Sequence, residues 1–438
     1  MAKKIWIMLA IVMCMASVLY SVDSLLVGTA KMGMTQEWKI NFEEPPTENQ
    51  SITMKVYFPY QSEAGQAIES ITANYKYTNE TDQYGNMVYV FNINSSEQEI
   101  SVVMNAIVDV DYSPLLLTSN PTMYSEQFEH SNLTEPSGEI TSIGQPLRGD
   151  MLLNTMANTS NYVNSYMTYT KEDSQNVVSA TVALQRKYGT CKEFAVLDMA
   201  LFNTMGLKNR LAFGYMFNGE IWEPHGWVEV YNPANQEWIS VDPTSNELQR
   251  LSALRIKVAQ YPDSTCMKDI VLVKGTSDGK FALTNTIEIN MESTGAFKDV
   301  PEVNVTFQKP NMLLFNFMNN GPYVLPVTVS ISLPWDPGTN KTVIVIPPRS
   351  SITITRKAEI PVGSTATVEY WVHGTGLDKR GSVNVTVEEA KPPGGGGDGG
   401  GGLGVDSSLL MYAGIVIVLL LIALAVIYKV LAGKKKEK

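Results

Sequence analysis

One cysteine, one histidine and one aspartate stand in an order that suits chemistry at a thiol. Residues 188–195 read Tyr-Gly-Thr-Cys-Lys-Glu-Phe-Ala, His225 precedes Gly-Trp, and Asp242 precedes Pro-Thr. Cys191 would open a helix, and a helix N-terminus favours the thiolate, which is the nucleophile. His225 would serve as base and then as acid, while Asp242 would hold the imidazole in one tautomer. Together they predict acyl transfer through a covalent thiol intermediate, although each residue taken singly is more often structural.

The patterns around these residues predict an α+β unit. Apolar residues recur every three or four positions between about 137 and 206, and the helix that begins at Cys191 should end at Gly206. Strands follow at 210–216, 226–231 and 237–242, and the turn at 232–235 joins the last two as a hairpin. The cysteine therefore opens a helix, whereas the histidine and the aspartate lie on strands.

Alternation of apolar and polar residues on both sides of this unit predicts two antiparallel β-sandwich domains. The first spans 35–125, the α+β core spans 137–295, and about seven short strands in 300–389 favour an immunoglobulin-like fold. A glycine-rich segment, 390–405, should act as a flexible linker because it has almost no apolar side chains to bury.

The motifs resemble those of the transglutaminase-like superfamily. Gly-x-Cys, His-x-Trp and Asp-Pro-Thr match in order, and residues 206–210 and 213–215 resemble the family's Gly-x-x-x-Arg turn and the strand after it. The resemblance covers roughly 137–246 and implies a papain-like α+β core with Cys191, His225 and Asp242 as its triad. A β domain ahead of such a core is similar to bacterial and archaeal members. The family includes proteases, amidases, transamidases and binding scaffolds, so the resemblance leaves the reaction open.

Four further residues are candidates for binding substrate or an oxyanion. Gly189 permits a close approach and leaves backbone N–H groups free for an oxyanion. Gln185 lies six residues before Cys191, the offset of the oxyanion glutamine in papain-like proteases, but an exposed helical glutamine is the simpler interpretation. Trp222 and Trp227 flank His225 and either wall the site or only pack in the core. We expect no metal site and no cofactor.

The two ends of the chain predict export and anchoring. Residues 1–24 combine two lysines with a short apolar stretch, as a secretory signal peptide or an uncleaved anchor does. The uncharged run Leu409–Tyr428, within a predicted transmembrane helix at 408–431, is long enough to cross a bilayer. The basic tail at 432–438 should remain in the cytoplasm, so the catalytic part of this single-pass membrane protein should face the exterior.

Charge, acceptor patterns and cysteines agree with that compartment. The chain has 33 Lys and Arg against 44 Asp and Glu, which makes nucleic acid a poor partner. Asn-x-Ser/Thr patterns for N-glycosylation occur at Asn49, Asn79, Asn94, Asn132, Asn158, Asn304, Asn340 and Asn384. Cys266 is the other cysteine expected outside the cell, and a bridge to Cys191 would abolish thiol chemistry.

Two classes of function remain compatible with the sequence. The first is a surface-tethered thiol enzyme, a protease, amidase or acyltransferase, whose substrate is an amide in a protein or peptide. For a microbial member tethered outside the membrane, hydrolysis is the better default. The second is a binding or structural protein of the cell envelope that uses the central fold as a scaffold. The complete set of motifs favours the enzyme, whereas the substrate and the oligomeric state have no sequence signal.

Overall fold

The computed structural model describes residues 27–387, with gaps at 63–64, 113–116, 118, 172–177, 264–268, 275–279, 298–299, 309–311, 334–335, 358–359 and 375. The chain divides into two compact units, Met1–Glu388 and Glu389–Lys438, and every described residue belongs to the first. The predicted signal at 1–24, linker at 390–405, transmembrane helix at 408–431 and tail at 432–438 lie outside the described residues, as does Cys266. Among the helices that are described, none has the length and apolar character needed to span a membrane.

Among the described elements, long β stretches precede and follow one helical segment. Helices α1–α4 cover Gly138–Leu147, Leu152–Tyr166, Ala180–Arg186 and Cys191–Thr204. Strands β1–β11 cover Val27–Phe42, Gln50–Tyr57, Gln66–Ala73, Tyr77–Thr81, Met87–Ser95, Glu99–Asp111, Thr168–Tyr169, Tyr188–Gly189, Asn209–Phe217, Trp222–Asn232 and Glu237–Asp242. Strands β12–β22 cover Glu247–Gln249, Arg255–Tyr261, Ile270–Lys274, Phe281–Ala296, Glu302–Gln308, Met312–Asn319, Leu325–Leu333, Asp336–Ile346, Ser350–Lys357, Thr365–Gly374 and Leu377–Thr386.

Two antiparallel sheets form the N-terminal sandwich, in the strand orders β15-β1-β6-β3 and β14-β2-β5-β4. Strand β1 alternates buried and half-buried residues along its whole length, the period expected of a strand with one face on a core. β1 is an inner strand of its sheet, and it pairs with β6 on one side and with β15 on the other.

The chain therefore leaves this sandwich, builds the core and returns to complete both sheets. Strands β14 and β15 fall within the segment 137–295 that the sequence assigned to the core, and β1 begins at Val27, ahead of the predicted start at 35. The structural boundaries thus differ from the predicted ones, because pairing between distant strands has no local signal.

The core between these passes packs α1–α4 with a five-stranded antiparallel sheet, in the order β12-β11-β10-β9-β13. Helix α4 is buried along most of its length and lies at the centre. Gly206 follows its end with φ of +68°, the left-handed conformation that terminates helices. The predicted helix from Cys191, its stop at Gly206 and the hairpin of β10 and β11 are all confirmed.

The C-terminal strands form two antiparallel sheets, β16-β17-β20 and β19-β18-β21-β22, around a shared apolar core that includes Phe315, Val329 and Val368. The seven strands predicted between 300 and 389 are present. Their likeness to an immunoglobulin domain stays a prediction.

Candidate active site

A capping box at the start of α4 positions the Cys191 thiol. The Oγ1 of the N-cap residue, Thr190, accepts from the Lys192 N–H at 3.3 Å, and Glu193 Oε2 accepts from the Thr190 N–H at 2.7 Å. A Cβ at Gly189 would lie 2.4 Å from the Glu193 Cβ, so a residue without a side chain is needed beside the cap. Cys191 is a free thiol, 8% exposed, in the first turn, where helical N–H groups lack intrahelical partners.

The imidazole of His225 lies between the other two candidate residues. Its Nε2 is 2.7 Å from Asp242 Oδ2, and both side chains are buried. The Cys191 side chain lies close enough to His225 to contribute to raising the pKa of the imidazole. Because Nε2 faces the carboxylate, Nδ1 is the nitrogen left for the sulfur. The structure therefore brings the three predicted residues together in the order Cys–His–Asp.

Electrostatics favour a charged imidazole beside a charged carboxylate. Burial lowers the pKa of His225, but the charge and hydrogen bond of Asp242, together with the contact to Cys191, outweigh it and raise the pKa above its usual value. Burial likewise raises the pKa of Asp242, but His225 and Arg255 outweigh it and hold that pKa well below its ordinary value. The histidine is thus equipped to retain a proton that it can later give to a leaving group.

Arg255 completes the environment of the aspartate and was not foreseen. The guanidinium is 1% exposed, and its Nη2 donates to Asp242 Oδ2 at 2.8 Å and to a carboxylate oxygen of Glu247. Glu247 in turn accepts from the Ser252 N–H at 2.9 Å and from the Ser245 hydroxyl at 2.6 Å. The same Asp242 oxygen, Oδ2, therefore faces His225 and is paired with a buried cation.

A chain of side chains links the turn after Asp242 to the C-terminal sandwich. The Thr244 N–H donates to Asp242 Oδ1 at 2.9 Å. The Asn164 amide, on α2, donates to the carbonyls of Pro243 and Thr244 at 3.0 Å each. Lys341, on β19, donates to Asn164 Oδ1 at 2.5 Å. Asn164 thus links the C-terminal sandwich to the aspartate turn, and no sequence pattern marks this link.

The other predicted binding residues have separate environments. Trp227 is buried and lies against the His225 ring, with centroids 6.3 Å apart and planes at 21°, and it also joins the apolar core of the N-terminal sandwich. Trp222 instead packs on Phe217, with centroids 5.7 Å apart. Gln185 is exposed on the short helix α3, which agrees with the simpler interpretation. The roles proposed for these residues remain predictions.

Three residues with no sequence signal border the site towards solvent. Tyr169 is 43% exposed, and β7 aligns it with Gly189 in a parallel pair of short strands. Burial raises the pKa of Tyr169, and the charges of Cys191 and Glu223 raise it further, so these groups lie near the phenol. Lys171 and Glu223 form an ion pair at 2.5 Å beside the same tyrosine.

Asp198 is a buried carboxyl group that the triad chemistry does not use. It lies on α4, two turns after Cys191, and is 0% exposed. Neither carboxyl oxygen has a hydrogen-bond partner in the part of the chain that the structure describes. Burial raises the pKa of this carboxyl well above its ordinary value, and the negative charge of Asp242 adds to the shift.

The asparagines of the predicted glycosylation sites differ in their exposure to solvent. Six of the predicted glycosylation sites are exposed: Asn49, Asn79, Asn94, Asn132, Asn304 and Asn384. Asn158 is half-buried on α2, and its amide donates to the Leu147 carbonyl at 3.2 Å, so glycosylation there stays a prediction. The Asn340 side chain lies outside the described structure. The described residues contain no group of three or more His, Cys, Asp or Glu side chains arranged to hold a metal ion.

Known proteins resemble this chain at the level of family and fold. Residues 146–243 match the family model described as the transglutaminase-like superfamily. No curated protein matches the chain. A candidate cysteine protease from Cytophaga hutchinsonii is 16% identical, covering 61% of this chain and 93% of its own, with a TM-score of 0.43. The periplasmic domain of TgpA from Pseudomonas aeruginosa, bound to ethylmercury, is 14% identical, covering 52% and 94%, with a TM-score of 0.25. Red sea bream transglutaminase is 10% identical, covering 82% and 78%, with a TM-score of 0.22.

The family match encloses all three residues that the fold brings together. Cys191, His225 and Asp242 fall inside the matched segment, in the order in which their motifs were recognised. Residues 146–243, within the α+β core, are therefore similar to the transglutaminase-like superfamily.

Proposed function

We propose that Cys191, His225 and Asp242 form the catalytic triad of a thiol enzyme that hydrolyses amide bonds in proteins or peptides. The observation that carries the proposal is the position of the His225 imidazole, 2.7 Å from Asp242 and beside the Cys191 side chain, which lies at the N-terminus of a buried helix. Nucleophile, base and orienting acid within hydrogen-bonding reach are the geometric signature of covalent acyl transfer.

The first half-reaction forms a thioester. The Cys191 sulfur adds to the amide carbon, the C–S bond forms, and the carbonyl oxygen becomes an oxyanion. Backbone N–H groups in the first turn of α4 are suited to stabilise that charge, because they lack intrahelical partners at the positive end of the helix dipole. His225 then gives its proton to the amide nitrogen, the C–N bond breaks, and the amine leaves.

The second half-reaction consumes water. His225 takes a proton from a water molecule whose oxygen adds to the thioester carbon, and the C–S bond breaks to return the thiolate and a carboxylic acid. Asp242 keeps Nε2 protonated and so presents Nδ1 to the sulfur in both steps. Arg255 keeps the carboxylate ionised and oriented by donating to Oδ2, the oxygen that also faces His225.

The exposed residues that border the buried triad favour hydrolysis over transfer to an amine. Transferases must keep water from the acyl-enzyme, and closed sites achieve this by excluding it. Here Tyr169 is 43% exposed and the Lys171 side chain is 61% exposed beside the thiol. We further propose that the linker at 390–405 and the span at 408–431 hold this enzyme at the outer face of a membrane.

Labelling with iodoacetamide tests the proposal, with the full chain studied between pH 5 and 9. An ordinary cysteine, which titrates near 8.5, has roughly 0.3% thiolate at pH 6. We expect one fast-labelling thiol at pH 6 that is absent from Cys191→Ala and lost from His225→Ala. His130→Ala is the matched control, because this histidine is exposed and lies against Phe128 instead.

Analysis of the products distinguishes hydrolysis from transamidation. New peptide ends would identify a protease, whereas release of ammonia with incorporation of an added amine in preference to water would identify a transamidase. Equal labelling of His225→Ala and His130→Ala at every pH would contradict an activated thiol. The scaffold function, in which the core only binds a partner in the cell envelope, would then take its place.

A further inference from the structure

A second cavity, of about 210 Å³, shares no residue with the Cys191 site. It lies where the N-terminal sandwich meets the edge of the core sheet. Four aromatic rings line it, those of Tyr57, Phe213, Tyr215 and Tyr261, together with the polar side chains of Gln36, Asn285 and Asp269. Neither Lys nor Arg is among the described residues that line it.

The rings meet at steep angles. The Tyr57 and Tyr261 centroids are 5.7 Å apart with planes at 80°, and those of Phe213 and Tyr215 are 6.3 Å apart at 59°. The rings come from β2, β9 and β13, so they face the cavity from different strands. Aromatic walls of this kind attract a cation through the negative faces of the rings.

A carboxyl group without a cationic partner lies against these rings. Asp269 accepts hydrogen bonds from the Trp38 indole N–H at 2.8 Å and from the Tyr57 N–H at 3.3 Å, and forms no ion pair with any described residue. Burial raises the pKa values of Tyr57, Tyr215 and Tyr261, and the charge of Asp269 adds to each shift, so this carboxyl lies near all three phenols. Burial raises the pKa of Asp269 itself, which a bound cation would oppose.

A side-chain amide oxygen at the cavity also lacks a hydrogen-bond partner among the described residues. The Gln36 side chain is 2% exposed, its Nε2 donates to Asn285 Oδ1 at 3.1 Å, and its Oε1 has no hydrogen-bond partner in the described structure. Asn285 is exposed and marks the opening to solvent. The cavity thus presents a carboxylate, a bare carbonyl oxygen and aromatic faces, all of which suit a positively charged hydrogen-bond donor.

We propose that this cavity binds an organic ammonium group, supplied either by a small amine or by a lysine side chain. Its volume suits a head group rather than a whole drug-sized ligand, for which pockets of roughly 300–1,000 Å³ are usual. The ring faces hold the cation, and Asp269 provides the opposing charge.

Calorimetric titration of the full chain tests this assignment. The ligands are choline, Nα-acetyl-lysine amide and 3,3-dimethylbutan-1-ol, which has the shape of choline without its charge. We expect saturable binding of at least one ammonium compound, at least tenfold tighter than that of the neutral alcohol. Preference for choline would identify a small quaternary amine as the source, and preference for the lysine derivative would identify a side chain.

Substitutions distinguish binding in this cavity from a general effect of the protein's negative charge. Asp269→Asn removes the charge and can accept only one of the two hydrogen bonds, from Trp38 or from Tyr57, so ammonium binding should weaken at least tenfold. Glu288→Gln removes an exposed charge from β15, the strand that carries Asn285, and should bind as the unchanged protein does. Phe213→Leu removes a half-buried ring from the cavity wall and should also weaken ammonium binding. It tests the proposal if Asp269→Asn fails to fold. Equal binding of alcohol and choline, no saturable binding, or equal affinity of the Asp269 and Glu288 variants would overturn the proposal.

Discussion

Replacing Asp198 by asparagine should stabilise the protein at neutral pH. The Asp198 carboxyl is fully buried in α4, and both of its oxygens lack hydrogen-bond partners among the described residues. Burial and the charge of Asp242 therefore raise its pKa well above the ordinary value of 3.8. Asparagine has nearly the same volume and shape but no proton to lose, so it removes the titration and little else.

The sign and size of the effect follow from proton linkage. The unfolded chain releases the Asp198 proton near pH 4, whereas the folded protein keeps it to higher pH. The stability contributed by the protonated group is complete below pH 4 and is lost as the pH rises through the folded pKa. The loss is about 1.4 kcal/mol per pH unit while the folded carboxyl stays protonated. The asparagine variant should match the unchanged protein near pH 4 and should exceed it in stability progressively as the pH rises from there.

Urea unfolding followed by tryptophan fluorescence at pH 4.5, 6 and 7.5 measures this difference. Asp150→Asn is the matched control, since the same substitution there changes an exposed side chain and should leave the pH dependence unaltered. The reasoning is refuted if the Asp198 and Asp150 variants have the same pH dependence, or if Asp198→Asn lowers the urea midpoint at pH 7.

Three further substitutions test the supports of the site. Arg255→Met leaves the buried carboxylate of Asp242 without its cation, so urea unfolding should register a loss of roughly 3–5 kcal/mol, and a loss below 1 kcal/mol would argue against a structural pair. Gly189→Ala places a Cβ 2.4 Å from that of Glu193, and thermal unfolding should record a cost of about 1–3 kcal/mol, whereas an unchanged midpoint would show that the cap relaxes freely. Asn164→Ala removes two hydrogen bonds from the aspartate turn, so stability should fall by about 1–3 kcal/mol and fast thiol labelling should weaken. Normal labelling would show that the turn keeps its conformation without Asn164.

Local signals in the sequence predicted local structure well. The helix from Cys191 was recognisable because its cap, its apolar run and its stop at Gly206 lie within one short segment. The hairpin of β10 and β11 was recognisable for the same reason, since its turn separates two alternating runs. In each case the interacting residues are neighbours along the chain, and the backbone conformation follows from their own types.

Contacts between distant segments escaped prediction. Strand β15 pairs with β1 across more than half of the chain, so the alternation of β15 indicated a strand but not its partner. Arg255 reaches Asp242 from β13, and Lys341 reaches Asn164 from β19. An apolar or charged pattern reports that a face will be buried or paired, but not which segment will cover it.

The sequence by itself determined the types and order of the three candidate catalytic residues, the helix that Cys191 opens and the strands that carry the other two. Tertiary structure alone decided that His225 turns Nε2 to Asp242, that Arg255 holds that carboxylate, that Asp198 is buried without a partner and that Gln185 stays in solvent. Motifs and periodicity act over a few residues, whereas the ionisation and orientation of a buried side chain depend on whichever distant groups the fold packs against it.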